Sequence, residues 1–298
     1  MIYDIIIVGA GPAGLTAALY AKRANKNVLI LEGKTYGGQI INTPNIVNYP
    51  GIPSISGFDY ATNLYNQVLN FGVQIVFEPV LRVEENRTVV TNKNSYQGKT
   101  IIIATGAENR KLNLPNEDKL VGKGVSYCAV CDGNFFKDKV VAVNGGGNTA
   151  LEDAIYLSNI ASKLYLIHRR KQFRGDDRYL EEILTKPNIE ILYDSSIISL
   201  NGDDHLTSID VKNVSGELIN LPIDALFIAI GQTPKNEIFQ NIVDLDQNGY
   251  IMSPDGVHTK AEKIYVAGDC RAKDLRQLTT AVADGSIAAT VAMKEMED

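Results

Sequence analysis

Near the N-terminus the chain reads Asp4-Ile5-Ile6-Ile7-Val8-Gly9-Ala10-Gly11-Pro12-Ala13-Gly14. Four β-branched residues in succession read as a short strand, the glycines as a turn, and the alanine-rich segment that follows as a helix. A second strand, Val28 to Leu31, completes a βαβ start. Glycines at 9, 11 and 14 serve three separate needs: a tight turn, close backbone approach to a pyrophosphate, and close helix-to-strand packing. An acid, Glu32, ends the second strand, where a free ribose 2′-hydroxyl is hydrogen-bonded in such folds. FAD and NAD both fit this pattern. The competing reading is a packing glycine cluster with a surface glutamate.

The pattern repeats further along. Val140-Val141-Ala142-Val143 runs into Asn144-Gly145-Gly146-Gly147-Asn148-Thr149-Ala150, then a helix to about Ile160 and a strand from Leu164 to Ile167. Gly145, Gly147 and Ala150 hold the three loop positions, with alanine as the accepted variant at the third. The strand ends in His168-Arg169-Arg170, with Arg174 following, and carries no acid. A carboxylate there would repel a 2′-phosphate, whereas arginine binds one bidentately, so this site is expected to prefer NADPH. A solvated basic run is the alternative. A chain that binds NADPH and a second dinucleotide lacking a 2′-phosphate is best explained by FAD at the first site.

Two such starts predict an α/β protein of two Rossmann-like dinucleotide-binding domains, in keeping with a length of 298 residues. Between them, Gly37 to Gly57 reads as a long functional loop, Phe58 to Phe71 as a helix, and Gln74 to Ile103 as short strands. Near the end, Lys263-Ile264-Tyr265-Val266-Ala267 runs into Gly268-Asp269. If that strand joins Ile101-Ile102-Ile103 in the first sheet, the NADPH domain is inserted into the FAD domain. The expected limits are 1–111 and 235–298 for the FAD part and 112–234 for the NADPH part.

With 45% hydrophobic and 21% charged residues the chain is of ordinary globular composition. A net charge of -6 offers no basic surface for nucleic acid. The run Ile5 to Val8 is too short to span a bilayer, and the N-terminus lacks the basic and apolar regions of a signal peptide. The expectation is a cytoplasmic protein without a membrane or nucleic-acid partner.

In a reducing compartment three cysteines argue against structural disulfides. Cys128-Ala129-Val130-Cys131 has redox-motif spacing, in which one thiol resolves a mixed disulfide made by the other. A zinc half-site would need two more ligands from Cys270, His168, His205 and His258, and buried structural cysteines are a further reading, so no metal is expected. Asp132 follows the second sulfur and suits proton exchange with a thiolate, or else a helix N-cap. Cys270 reads as a small buried apolar residue.

These motifs, taken in order, resemble the low-molecular-weight, bacterial-type thioredoxin reductases over essentially the whole chain. The resemblance rests on Gly9 to Gly14, Gly37-Gly38-Gln39-Ile40, Asn48-Tyr49-Pro50-Gly51, Ala104 to Ala107, Cys128 to Gly133, Gly145 to Ala150, His168 to Arg170 with Phe173-Arg174, and Ala267 to Asp269 with Arg276-Gln277. It implies a homodimer with one FAD per chain, NADPH as donor, and thioredoxin or a thioredoxin-like protein as acceptor. It further implies that Gly38, Gln39 and Asn48 belong to the FAD site, that Asp269 contacts the ribityl and pyrophosphate region, and that Gln277 neighbours the isoalloxazine. Cys131 would face the flavin and Asp132 would serve as the acid. Because the cysteines and the second nucleotide fold share the inserted domain, the order of the motifs implies a domain rotation that lets each reach one flavin. Electron supply from ferredoxin, oxidation of a small dithiol, and a non-enzymatic flavin redox sensor are the alternatives; the second dinucleotide motif speaks against all three.

Overall fold

The computed structural model describes residues 2–43 and 45–297, so that Pro44, inside the loop from Gly37 to Gly57, lies outside the described residues. Along the chain the strands are β1 (Ile2–Val8), β2 (Val28–Glu32), β3 (Gln74–Phe77), β4 (Val80–Val83), β5 (Thr88–Thr91), β6 (Ser95–Ile103), β7 (Glu108–Asn109), β8 (Val125–Ser126), β9 (Val140–Gly145), β10 (Lys163–Ile167), β11 (Ile189–Leu192), β12 (Ser195–Asn201), β13 (Ser208–Asn213), β14 (Leu218–Pro222), β15 (Ala225–Ala229), β16 (Gln232–Thr233) and β17 (Ile264–Val266). The helices are α1 (Pro12–Arg23), α2 (Gly57–Asn70), α3 (Glu117–Leu120), α4 (Ala129–Asp132), α5 (Asn148–Ser158), α6 (Asp177–Leu184) and α7 (Leu278–Glu297).

The chain divides into two units, residues 1–108 with 233–298, and residues 109–232. In the first, the sheet order is β3-β2-β1-β6-β5-β4. β6 serves two neighbours on one side: Ser95 to Gln97 pair antiparallel with β5, and Ile101 to Ile103 pair parallel with β17. The alternation of a strand splits β1 between two cores. Ile5 and Ile7 face α1 and α7, while Ile6 and Val8 pack with Phe239, Ile242 and Ile251 on the other side. Burial on both faces is why the strand reads as an unbroken apolar run. Each fully buried aliphatic chain of this kind contributes about 1.5–3 kcal/mol. Ala13, Ala17 and Ala21 of α1 pack in one cluster with Ala281, Ala288 and Ala292 of α7, small side chains that let two helices approach closely.

In the second unit β11-β10-β9-β15-β8 form a parallel sheet. Val141 and Val143 pack towards α5, and Ala142 packs towards the antiparallel meander β12-β13-β14. Each crossing between the units is a two-residue strand. Within the second unit, Gln232 Nε2 donates to Asn109 Oδ1 at 2.9 Å. In both sheets the glycine loops leave the C-terminal ends of central parallel strands, where α/β folds bind ligands.

Candidate redox centre and dinucleotide sites

The first glycine loop is built for backbone contact with an anion. Gly9 takes φ +113°, and a Cβ there would collide with the Ala104 carbonyl; a Cβ on Gly14 would collide with the Gly9 carbonyl. Gly11 is the N-cap of α1 and offers no side chain to the first-turn N–H groups, and no acid stands in that turn. By contrast, α2 is capped by Ser56 and α6 by Asp176. The uncapped N–H groups of α1, with the positive end of its dipole, suit a pyrophosphate. Glu32 Oε2 accepts from Ala10 N and Oε1 from Lys34 N, both at 2.8 Å, which leaves each oxygen a further lone pair for a hydroxyl. Gly37 N donates to Ala10 O at 2.8 Å, and a Cβ on Gly38 would lie 3.3 Å from Gly11 Cα, so the loop after β2 closes over the glycine turn. Gln39 is exposed in the 3-10 turn that Gly38 opens.

The turn after β17 adds the remaining residues of this set. Gly268 N donates to Asp284 Oδ2 of α7 at 3.0 Å. Arg271 and Lys273 also converge on Asp284, at 2.9 Å each. Asp269 Oδ1 is sealed from solvent 3.3 Å from Lys273 Nζ; burial pushes this carboxyl up, and Lys273 pulls it back. Asn48 and Gln277 come together, Asn48 Nδ2 donating to Gln277 Oε1 at 3.2 Å. Cys270 is fully buried, its Sγ 3.3 Å from Ala267 O, and burial pushes its thiol up.

The second loop repeats the design. A Cβ on Gly145 would collide with the Ala229 carbonyl and press on Ala150, which is fully buried. Gly147 caps α5 without a side chain, a Cβ there would meet nothing within 4 Å, and the first turn carries no acid. Arg169, Arg170 and Arg174 are exposed, whereas nearby Arg178 is held by Asp176 at 2.8 Å. His168 points inward instead. It is 4% exposed, stacks on Phe173 with ring centroids 4.7 Å apart, and occupies the space where a Cβ on Gly146 would fall. Its Nε2 lies 2.9 Å from Gln172 O, so it donates there and carries the proton. Burial, followed by the neighbouring arginines, pushes the imidazole down, against a smaller upward pull from Gln172. Arg174 N donates to Gly146 O at 2.7 Å. The neutral ring thus packs the arginine loop against the glycine loop.

Cys128 and Cys131 are joined as a disulfide at the start of α4. Cys128 is itself the N-cap, its sulfur accepting from Cys131 N at 3.3 Å. Asp132 ends α4, and its side chain caps no helix. One oxygen, Oδ2, accepts from Ser126 Oγ at 2.6 Å, while Oδ1 is buried without a hydrogen-bond partner. Burial pushes the Asp132 carboxyl up, and the Ser126 hydroxyl opposes this. Among the described residues no three His, Cys, Asp or Glu side chains converge on a metal site. No helix among them is long and apolar enough to cross a membrane.

Two uncapped glycine-led helices, one beside an acid and one beside exposed arginines, fit one dinucleotide without a 2′-phosphate and one with it. The model of the pyridine nucleotide-disulphide oxidoreductases matches residues 3–285. The chain belongs to this family. Within it, a thioredoxin reductase of Treponema pallidum is 41% identical over 97% of this chain and 96% of its own. One of Mycoplasma genitalium is 40% identical over 100% and 96%. The crystal structure of thioredoxin reductase from Streptococcus pyogenes superposes with a TM-score of 0.94 at 39% identity, covering 99% of this chain and 98% of that one.

For this member of the pyridine nucleotide-disulphide oxidoreductases, every residue of the first set lies in the first unit, and the second set and the cysteines lie in the other. Ser126, Asp284 and Lys273 belong to no motif of the sequence, yet each bonds to a site residue or its turn. Ser126 carries no motif, because its meaning depends on which way a two-residue strand presents it. An acid at Asp284 within the alanine-rich run from Leu278 to Ala292, after basic residues at 271 and 273, is the sequence signal for the other two.

Proposed function

We propose that the chain reduces the disulfide of thioredoxin, or of a thioredoxin-like protein, at the expense of NADPH: NADPH, a proton and the acceptor disulfide give NADP⁺ and the acceptor dithiol. The observation that carries this reading is the Cys128–Cys131 disulfide with a buried carboxyl, Asp132, in a chain with two dinucleotide cradles. The names of the relatives support thioredoxin as the acceptor.

In this reading Gly9, Gly11, Gly14, Glu32, Gly38, Gln39, Asn48, Asp269 and Gln277 hold FAD. Gly145, Gly147, Ala150, Arg169, Arg170 and Arg174 hold NADPH, with His168 shaping the arginine loop from behind. FAD, when bound, supplies the two-electron chemistry that links a nicotinamide to a disulfide. The protein's own residues do the rest. Once Cys128 and Cys131 are reduced, one thiolate attacks the acceptor disulfide, and Asp132 protonates the acceptor sulfur that leaves. The second cysteine then attacks the mixed disulfide and returns its proton to Asp132, re-forming Cys128–Cys131. The second acceptor thiolate takes a proton from water. The same family reading makes the protein a homodimer working in the cytoplasm, where an acceptor dithiol persists.

Steady-state oxidation of NADPH, started by adding oxidised thioredoxin, tests the reading. Thioredoxin-dependent turnover that disappears in Cys131→Ser supports it; NADPH oxidation indifferent to thioredoxin and dependent on oxygen favours a dithiol oxidase instead.

A further inference from the structure

We propose that Ser126 is a positioning residue for the thiol chemistry, turning Asp132 so that Oδ1 is the oxygen that holds the exchangeable proton. The inference rests on the proposed role of Asp132 and names the residue that makes it possible.

The direction of the hydrogen bonds follows from chemistry. A backbone N–H can only donate, and Cys128 N donates to Ser126 Oγ at 3.0 Å. The serine hydroxyl therefore keeps its own hydrogen for an acceptor. Two are in reach, Asp132 Oδ2 at 2.6 Å and Cys128 O at 3.3 Å. The shorter bond, to a carboxylate, is the stronger. Ser126 is only 4% exposed, so water does not compete for the hydroxyl. β8 is fixed by its parallel pairing with β15, Ser126 opposite Phe227, which leaves the serine little freedom to turn away.

With Oδ2 already accepting, a proton arriving at Asp132 goes to Oδ1. That atom is sealed and has no other partner, so nothing else in the fold claims its proton. The groups around it add little charge. Tyr156 of α5 lies against Gly133, and Tyr127, next to Cys128, donates to Glu117 at 2.7 Å. Of the α5 acids, Glu152 is bonded to Tyr179, and Asp153 is itself pushed up to about 7 by burial. Burial and the serine hydroxyl are the influences on Asp132, in opposite directions. Because that hydroxyl also holds the Cys128 backbone, acid and cysteine are tied into one unit.

The test compares Ser126→Ala with Ser126→Thr, which keeps the hydroxyl. The pH profile of thioredoxin reduction first identifies the limb that Asp132→Asn abolishes. Loss of the hydroxyl removes a bond that favours the carboxylate, so in Ser126→Ala this limb moves to higher pH, changing the rate several-fold at a fixed pH on the limb. Ser126→Thr keeps the limb where the wild type has it. Carbon-13 titration of the Asp132 carboxyl reads the same upward shift without turnover. If Ser126→Ala does not fold, Ser126→Thr against the isosteric Ser126→Val makes the same comparison. An unmoved limb and titration in the variants without the hydroxyl overturn the proposal, as does a loss of rate at all pH values with the limb in place. Should the wild type reduce no thioredoxin, the proposed function falls, while the titration still decides the role of Ser126.

Discussion

Asp284 accepts the backbone N–H of Gly268 at 3.0 Å, and the same carboxylate holds Arg271 and Lys273. The last helix thereby fixes the turn that carries Asp269, while Gly285 beside it packs where any Cβ would strike the Ala13 carbonyl in the first turn of α1. Both halves of the proposed FAD cradle hang on one turn of α7. Asp284→Ala takes from the largely buried Arg271 its carboxylate and leaves Lys273 only Asp269, a change that costs about 3–5 kcal/mol. Urea denaturation is expected to show that loss, and the purified variant to hold less FAD than the wild type; full flavin content at reduced stability would make Asp284 structural alone. Although burial acts to raise its pKa, Arg271 and Lys273 hold Asp284 below the ordinary 3.8. Its contribution is therefore present above that value and fades as pH falls through the lower folded-state value.

His258 sits between two carboxylates, with Nε2 2.7 Å from Glu295 and Nδ1 2.7 Å from Asp255. The Glu295 hydrogen bond, followed by the two negative charges, raises its pKa above 6.5 despite partial burial. A raised folded-state value means that the stabilisation is complete below 6.5 and is lost as pH rises through the higher value. His258→Ala should therefore lower Tm at pH 6 and make a smaller difference at pH 9. The pair is partly exposed and screened, so the effect is at most about 1 kcal/mol. Thermal melts at the two pH values measure it; an equal loss at both would point to packing instead.

Arg169, Arg170 and Arg174 are exposed around the second glycine loop, and no carboxylate ends β10. Each charge-assisted bond to a 2′-phosphate is worth roughly 1.5–3 kcal/mol, about 10–100-fold in affinity. Replacing Arg169 or Arg170 with alanine should raise the KM for NADPH by about that factor and leave the KM for NADH nearly unchanged. A parallel rise for both nucleotides would mean that the arginines hold something other than the 2′-phosphate.

His168→Ala should act differently. Removing a ring that packs on Gly146 and Phe173 creates a void of core type, which costs roughly 2–5 kcal/mol. Weaker NADPH binding should then come with a lower Tm, whereas the arginine variants keep theirs. A binding defect at unchanged Tm would show that the imidazole contacts the nucleotide itself.

Much of the architecture was legible because strands buried on two faces leave apolar runs that end abruptly in glycines, as Ile5 to Gly9 and Val140 to Gly145 do. The pairing of Ile264 to Val266 with Ile101 to Ile103 was readable for the same reason. The meander of β12 to β14 was not, since a register shift between Ile197 and Ser199 breaks the alternation of β12 and leaves Ile198 exposed beside the buried Ile197. At the sites, glycine spacing and charge sign survive in sequence, but side-chain direction does not. His168 and Arg169 are adjacent in the same motif, yet one turns into the core and the other to solvent. Asp132 carried two readings, acid or N-cap; Cys128 takes the cap, and the carboxyl turns to Ser126.

Anaerobic stopped-flow spectroscopy of the flavin-loaded protein follows the passage of reducing equivalents from NADPH to the Cys128–Cys131 disulfide and on to thioredoxin. NADPH should bleach the flavin rapidly, and oxidised thioredoxin, added next, should restore its absorbance in the wild type but not in Cys131→Ser. A flavin that stays oxidised with NADPH and bleaches with reduced ferredoxin would overturn NADPH as the donor.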